Sequence, residues 1–175
     1  MVWTFSLSAE CGAEQSAVEQ FAHHFNGLSW TLSIGMQSRC QTEIFQDFED
    51  HWWCRVCPDN LSEIGIHAPD IAYSMTELGL LLYQRLRSAP PFRYALVGVE
   101  VDEFRTYSEL STEISEASFP GLVLAEKVWQ ACGAAPSFQP FSPGYVWYPY
   151  EGEVYKPLTV SPDLKDKLNE LLVLT

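Results

Sequence analysis

Alternation of apolar and polar side chains marks the beginning of the chain. In residues 2–8 every second side chain is apolar, and this period of two predicts a β-strand. Residues 13–25 place apolar side chains at helical spacing and run into Asn26-Gly27, which is typical of a helix C-cap. Residues 28–34 alternate again and predict a second strand.

Residues 42–56 predict a third strand, although its first half is loaded with charge. Phe48, Trp52, Cys54 and Val56 can share one face of such a strand, because side chains two apart point the same way. Charged side chains discourage unwanted pairing between sheets. We therefore expect the beginning of this strand to be exposed or to lie at an edge of the sheet.

A long helix and a buried strand follow. Residues 70–87 carry an apolar stripe at helical spacing, and Ala89-Pro90-Pro91 ends the predicted helix. Residues 94–99 form an almost unbroken apolar run, which is typical of a central strand buried on both faces.

The order strand, helix, strand, strand, helix, strand predicts the fold class. It is the order of the split βαβ or ferredoxin-like arrangement, an α+β fold in which a four-stranded antiparallel sheet carries both helices on one face. We expect residues 2–101 to form this core and residues 102–175 to extend it, within a single domain spanning residues 1–175. Because many unrelated functions use this fold, it says almost nothing about function.

The C-terminal extension combines two predicted helices with a segment rich in proline and aromatic residues. Residues 120–132 predict a third helix, and Ser161-Pro162-Asp163 opens a last one with a serine cap and a proline at its first position. Between them, residues 138–157 interleave four prolines with aromatic rings, which argues against an ordinary helix or a central strand. This segment either wraps the sheet as an arm or presents an aromatic surface to a partner.

The charge balance favours some partners over others. The chain has 10 lysines and arginines against 23 aspartates and glutamates, a net charge of −13, with an apolar fraction of 47% that indicates a folded protein. Such a charge repels nucleic acid and anionic membranes, so we expect neither as a partner. It attracts a basic protein surface or a cation, although solubility alone is an equally simple interpretation.

Cysteine usage and the beginning of the chain bear on the compartment. The five cysteines are an odd number, scattered over a chain too long to need disulfides for its stability. Residues 1–8 lack the basic region of a secretory signal, and no segment has the length of apolar residues that a membrane span requires. We therefore expect reduced thiols and a cytoplasmic location.

One group of residues has the ligand types of a zinc site. His51, Cys54, Cys57 and His67 offer two thiols and two imidazoles. In an extended strand, however, Cys54 and Cys57 point to opposite faces, and their convergence would need a turn. We expect no cofactor and ordinary cysteines here, with zinc binding or a dithiol redox role as the alternatives.

Three clusters are candidates for contact with a protein partner, and each has a plain alternative as a solvated rim or a structural segment. They are Glu43, Asp47, Glu49 and Asp50 in the third predicted strand; Glu100, Asp102 and Glu103 after the central strand; and Tyr145, Trp147, Tyr148 and Tyr150 in the aromatic segment. Carboxylates supply charge complementarity to a basic surface, and aromatic rings supply rigid contact area.

The sequence favours a non-enzymatic role. It contains no nucleophile elbow, no phosphate-binding glycine loop and no metalloprotease motif, so no catalytic residue is assigned. We predict an acidic protein-binding module that docks a basic partner, in the manner of an inhibitor, an immunity-type protein or an assembly or adaptor protein. The alternative is a small metal-binding protein or enzyme that uses His51, Cys54, Cys57 and His67 or carboxylates at the strand ends.

Overall fold

An antiparallel sheet of eight strands, with helices on both faces, gives the protein an α+β fold. The computed structural model describes residues 4–61, 66, 68–101, 104–114 and 119–173. The strands are β1 (Phe5–Gly12), β2 (Ser29–Thr31), β3 (Gln37–Gln46), β4 (Trp52–Pro58), β5 (Tyr94–Val99), β6 (Val123–Ala125), β7 (Gln139–Ser142) and β8 (Tyr145–Trp147). The helices are α1 (Gln15–Phe25), α2 (Pro69–Leu86), α3 (Tyr107–Glu113), α4 (Glu126–Ala131) and α5 (Pro162–Val173), and a 3-10 helix spans Pro157–Thr159.

The sheet is built around β1, which pairs with β4 on one side and with β5 on the other. Its order is β2-β3-β4-β1-β5-β6-β8-β7. The apolar side chains of β1 are Phe5, Leu7 and Ala9, and they pack in one core with buried residues of α1 and α2. The strand predicted at residues 2–8 is confirmed from Phe5 onward and continues to Gly12, while residues 2 and 3 lie outside the described residues. The first two predicted helices and the central strand β5 are also confirmed.

The predicted third strand is wrong in its connectivity. Residues 42–56 are not one strand but the facing parts of β3 and β4, which form a hairpin whose last pair is Gln46 with Trp52. The turn between them is rich in Asp, whose carboxylate can bond to nearby backbone amides and so favours a reversal of the chain. The prediction of the second strand was too long, since only β2 forms there.

Residues 123–147 of the extension lengthen the sheet. The helix predicted at residues 120–132 is wrong in its first half, where β6 pairs with β5, and right in its second half, which is α4. The aromatic segment forms the hairpin β7–β8, and Pro140 is accommodated because β7 lies at the edge of the sheet. The sheet therefore has eight strands where four were expected.

The face opposite α1 and α2 has a second core. Tyr94 and Leu96 of β5 and Leu124 of β6 are buried there with Leu110 of α3 and Val128 of α4. This accounts for the burial of β5 on both faces and for α3, a helix that the predictions missed within the acidic stretch.

The five cysteines are free thiols. Within the part of the chain that the structure describes, no helix combines the length and the apolar character needed to cross a membrane.

Candidate docking site

The turn of the β3–β4 hairpin, residues 47–51, is held by one carboxylate. Asp47 Oδ1 accepts hydrogen bonds from the backbone amides of Glu49 at 2.9 Å and His51 at 3.1 Å, while Oδ2 accepts from the indole Nε1 of Trp53 at 2.8 Å. The chain reverses with Asp50 in the left-handed region, at a φ of 61°. These bonds fix the backbone of the turn, which we call the hairpin tip.

A second carboxylate connects the hairpin tip to α3. Glu49 accepts hydrogen bonds from the backbone amide of Ser108 at 3.3 Å and from its hydroxyl at 2.8 Å. The hydroxyls of Thr106 and Ser108 hold the pKa of Glu49 below its usual value, so this side chain stays ionised. Thr106 also begins α3 in a capping box with Glu109. The tip is thus braced on a second element.

Phe48 projects from the hairpin tip and is 82% exposed, more than any other large apolar side chain of the described residues. The sequence had placed this ring on a strand face with Trp52. The hairpin tip instead directs the ring of Phe48 away from both cores, because the hydrogen bonds of its neighbours Asp47 and Glu49 hold those side chains inward. An aromatic ring on a hydrogen-bonded turn therefore stands in solvent between carboxylates.

The charge at the hairpin tip is not neutralised by lysine or arginine among the residues that the structure describes. Asp47, Glu49 and Asp50 make no such ion pair. Glu43, further along β3, differs because its carboxylate lies 3.0 Å from Nη1 of Arg55. The tip consequently keeps the negative potential that a basic surface would meet.

The two acidic clusters predicted from the sequence lie at opposite ends of the sheet. Trp52, next to the hairpin tip, pairs with Gly12 at the end of β1, whereas Glu100 contacts Thr4 just before its beginning. Gly12 and Thr4 are eight residues apart along the chain, about 26 Å at the usual rise of a strand. Glu100 therefore does not belong to the docking site, and Asp102 and Glu103 lie outside the described residues.

The aromatic candidates belong mainly to the core. Trp147 is 0% exposed and packs against Tyr83 and Phe141, and Tyr150 is buried beside it. Tyr145 and Tyr148 are half-buried. The rings of residues 145–150 therefore do not form an exposed patch, and the acidic hairpin tip is the stronger candidate.

The candidate metal ligands are not gathered by the structure. Cys54 is buried in the core beneath α1, and Cys57, three residues further in the same regular strand, points to the other face. Burial raises the pKa of Cys54 to about 12, which keeps it a neutral thiol. His51 lies in the hairpin tip, and His67 is outside the described residues. Within the described ranges no three metal-ligating side chains cluster, and zinc binding stays an untested prediction.

The sequence interpretation missed Ser108 and the exposure of Phe48. The pattern Thr106 followed three residues later by Glu109 is the signal that marks the start of α3.

No family model, curated protein or solved structure matches the chain.

Proposed function

We propose that the protein is a non-enzymatic binding module that docks a basic protein surface through its hairpin tip. The observation that carries this proposal is the ring of Phe48, 82% exposed on a turn that Asp47 fixes through three hydrogen bonds. A partner of matching chemistry has an apolar pocket rimmed by lysine and arginine. An inhibitor, an immunity-type protein or an assembly or adaptor protein would use such a contact.

Rigidity is the first argument for docking at this position. A loop that is already ordered loses little conformational entropy on binding, so more of the contact energy appears as affinity. Aromatic side chains at the centre of an interface often supply most of that energy. Phe48 combines both properties, since the Asp47 and Glu49 hydrogen bonds hold the backbone on either side of it.

Charge is the second argument. The three carboxylates of the hairpin tip and the net charge of −13 attract a basic partner from a distance and raise its association rate. The same charge disfavours nucleic acid and anionic membranes as partners. Among the described residues, no cluster of metal ligands supports the alternative of a metal protein or enzyme, which stays a prediction.

We also infer that the first half of the chain is a split βαβ core of the ferredoxin-like kind. The strand order β3-β4-β1-β5, with antiparallel pairing throughout, supports this inference. So does the packing of α1 and α2 in the same core. In this interpretation β2 and the strands β6 to β8 are additions at the two edges.

The test is retention of host proteins on the immobilised full chain, with variants matched in exposure. Phe48→Ala removes the ring, Asp50→Lys reverses one charge, and Val160→Ala is the control because Val160 is also exposed, at 77%, but lies near the C-terminal helix. We expect a basic protein to be retained by the wild type and by the control in low salt and released at about 0.3 M salt, where exposed charges are screened.

Phe48→Ala should weaken that complex by about 30-fold, the loss of about 2 kcal/mol that defines a hot spot. Asp50→Lys should slow its association. Circular dichroism of each variant checks that the fold is kept. Retention that is equal for Phe48→Ala and Val160→Ala, or the absence of any retained basic protein, would refute the proposal.

A further inference from the structure

A buried glutamate anchors the segment of residues 150–159, which we call the strap. Glu153 accepts a hydrogen bond from the hydroxyl of Tyr150 at 2.5 Å, and its own backbone amide donates to Oγ1 of Thr76 in α2 at 3.0 Å. The backbone amide of Val99 in β5 also donates to the carboxylate. This one residue therefore ties the strap to a helix and to the sheet.

Glu153 replaces part of a missing strand. The short strand β6 pairs only with Tyr94 and Ala95, so the amides of β5 beyond them lack a strand partner on that side. The hydroxyl of Tyr83 accepts from the amide of Val97 at 3.2 Å, and Glu153 takes the next amide on the same edge, that of Val99. Two side chains thus continue the hydrogen-bond ladder of the sheet.

The carboxylate of Glu153 has no cation to balance it among the described residues. Tyr150 of the strap and Tyr83 and Thr76 of α2 face it, while β5 contributes only backbone. Burial raises the pKa of Glu153 to about 7, against the opposing effect of the donors Tyr150 and Val99. The side chain therefore titrates near neutral pH. Lys156 of the strap lies 3.9 Å from the exposed Glu151 instead.

The backbone of the strap is strained where it leaves the anchor. Tyr155 and Lys156 both have left-handed conformations, with φ of 71° and 45°, which non-glycine residues adopt rarely and at a cost in energy. Such a conformation persists only when surrounding contacts hold it. Tyr155 is itself exposed, and the turn that contains it is closed by a hydrogen bond of 2.9 Å from the backbone amide of Lys156 to the carbonyl oxygen of Glu153.

We propose that the strap is a pH-responsive latch, closed on the edge of β5 when Glu153 is protonated and opened when Glu153 is ionised. An ionised carboxylate without a cation is stabilised by water, and opening of the strap gives it access to water. Opening also exposes the amide of Val99 on the edge of β5, whereas the amide of Val97 stays bonded to Tyr83 of α2. The proposal is independent of the docking function of the hairpin tip.

The size of the effect follows from linkage. A group whose pKa is raised in the closed state stabilises that state at low pH, and the stabilisation is lost as the pH rises through the closed-state pKa. With a pKa of 4.5 for the released side chain and about 7 for the seated one, the open fraction becomes about tenfold larger at pH 8 than at pH 6.

Hydrogen exchange of the full chain measures this opening. It is followed by mass spectrometry at pH 6 and pH 8, and the rates are corrected for intrinsic exchange. We expect strap peptides of the wild type to show the tenfold increase, and those of Glu153→Gln, which keeps the shape without the charge, to change less than twofold. Peptides of α1 serve as the internal control. Equal changes in wild type and variant, or in the strap and α1 alike, would overturn the proposal.

A second measurement needs no variant. The side-chain carboxyl carbon of Glu153, followed by NMR in the wild-type protein, should titrate with a midpoint above pH 6 while the amide signals of the strap shift with it. A midpoint at or below pH 6, or strap signals that do not follow the titration, would contradict the latch.

Discussion

Removal of one hydroxyl, by Tyr83→Phe, tests how the sheet is completed beyond β6. Tyr83 is 0% exposed, and its hydroxyl accepts from the amide of Val97 at 3.2 Å and donates to the carbonyl oxygen of Gly121 at 2.7 Å. Phenylalanine fills the same space without the hydroxyl. The substitution therefore leaves both backbone groups buried and unpaired while the packing of the ring is kept.

The expected loss can be worked from these two groups. A buried backbone donor or acceptor that loses its partner costs about 1 to 3 kcal/mol. Because Tyr150 and Trp147 pack on the ring of Tyr83 and keep water from both groups, we expect a total loss of about 2 to 6 kcal/mol in the free energy of unfolding. This is a large fraction of the stability of a domain of this size.

Tyr145→Phe is the matched control. The hydroxyl of Tyr145 also contacts both an amide and a carbonyl, those of Phe92 at 3.2 Å and 3.3 Å, but its ring is only half-buried. Water can replace this hydroxyl, so we expect a loss below about 1 kcal/mol.

Urea unfolding, followed by tryptophan fluorescence and by circular dichroism, gives the free energy of unfolding of each variant. An unchanged dependence of that free energy on urea concentration shows that the two variants unfold from equally compact states. A loss for Tyr83→Phe that is no larger than that for Tyr145→Phe would refute the argument that Tyr83 substitutes for a strand.

Two smaller predictions use the same assay. Gly79→Ala should destabilise the protein by about 1 to 3 kcal/mol, because the added Cβ would lie 2.6 Å from the hydroxyl of Tyr150. Alanine is the better helix former, so a gain in stability would show that the ring of Tyr150 moves freely. Thr106→Ala should lower the stability by about 1 kcal/mol, because α3 loses its N-terminal cap. The control Thr112→Ala, on the exposed side of the same helix, should lower it less, and an equal effect of the two substitutions would contradict the capping role.

Elements that carry their own periodicity could be predicted from the sequence. The helices α1 and α2 show apolar stripes several turns long, and β5 shows a continuous apolar run, so their local pattern and their tertiary environment agree. The helix α5 was predicted from its serine and proline start. In these cases the information lies within the element itself.

Elements that depend on distant partners could not be predicted in this way. The three residues of β6 are a strand only because β5 and β8 lie on either side, and the same apolar residues continue smoothly into α4 at helical spacing. Phe48 was placed in a strand because it is apolar, whereas the hydrogen bonds of Asp47 make it the tip of a turn. The surroundings of Glu153 come from residues 76 and 99, far away in sequence.

The shortness of strand β6 bears both on the stability of the protein and on the pH dependence proposed for the strap. It leaves two amides of β5 without a strand partner, and the structure supplies a tyrosine for one and a glutamate for the other. A glutamine at position 153 would accept the same hydrogen bond without an ionisable group, so the pairing of the amide does not by itself require a carboxylate. The carboxylate makes the free energy of closing the strap change with pH near neutrality. The hydrogen-exchange comparison of the wild type with Glu153→Gln isolates this contribution.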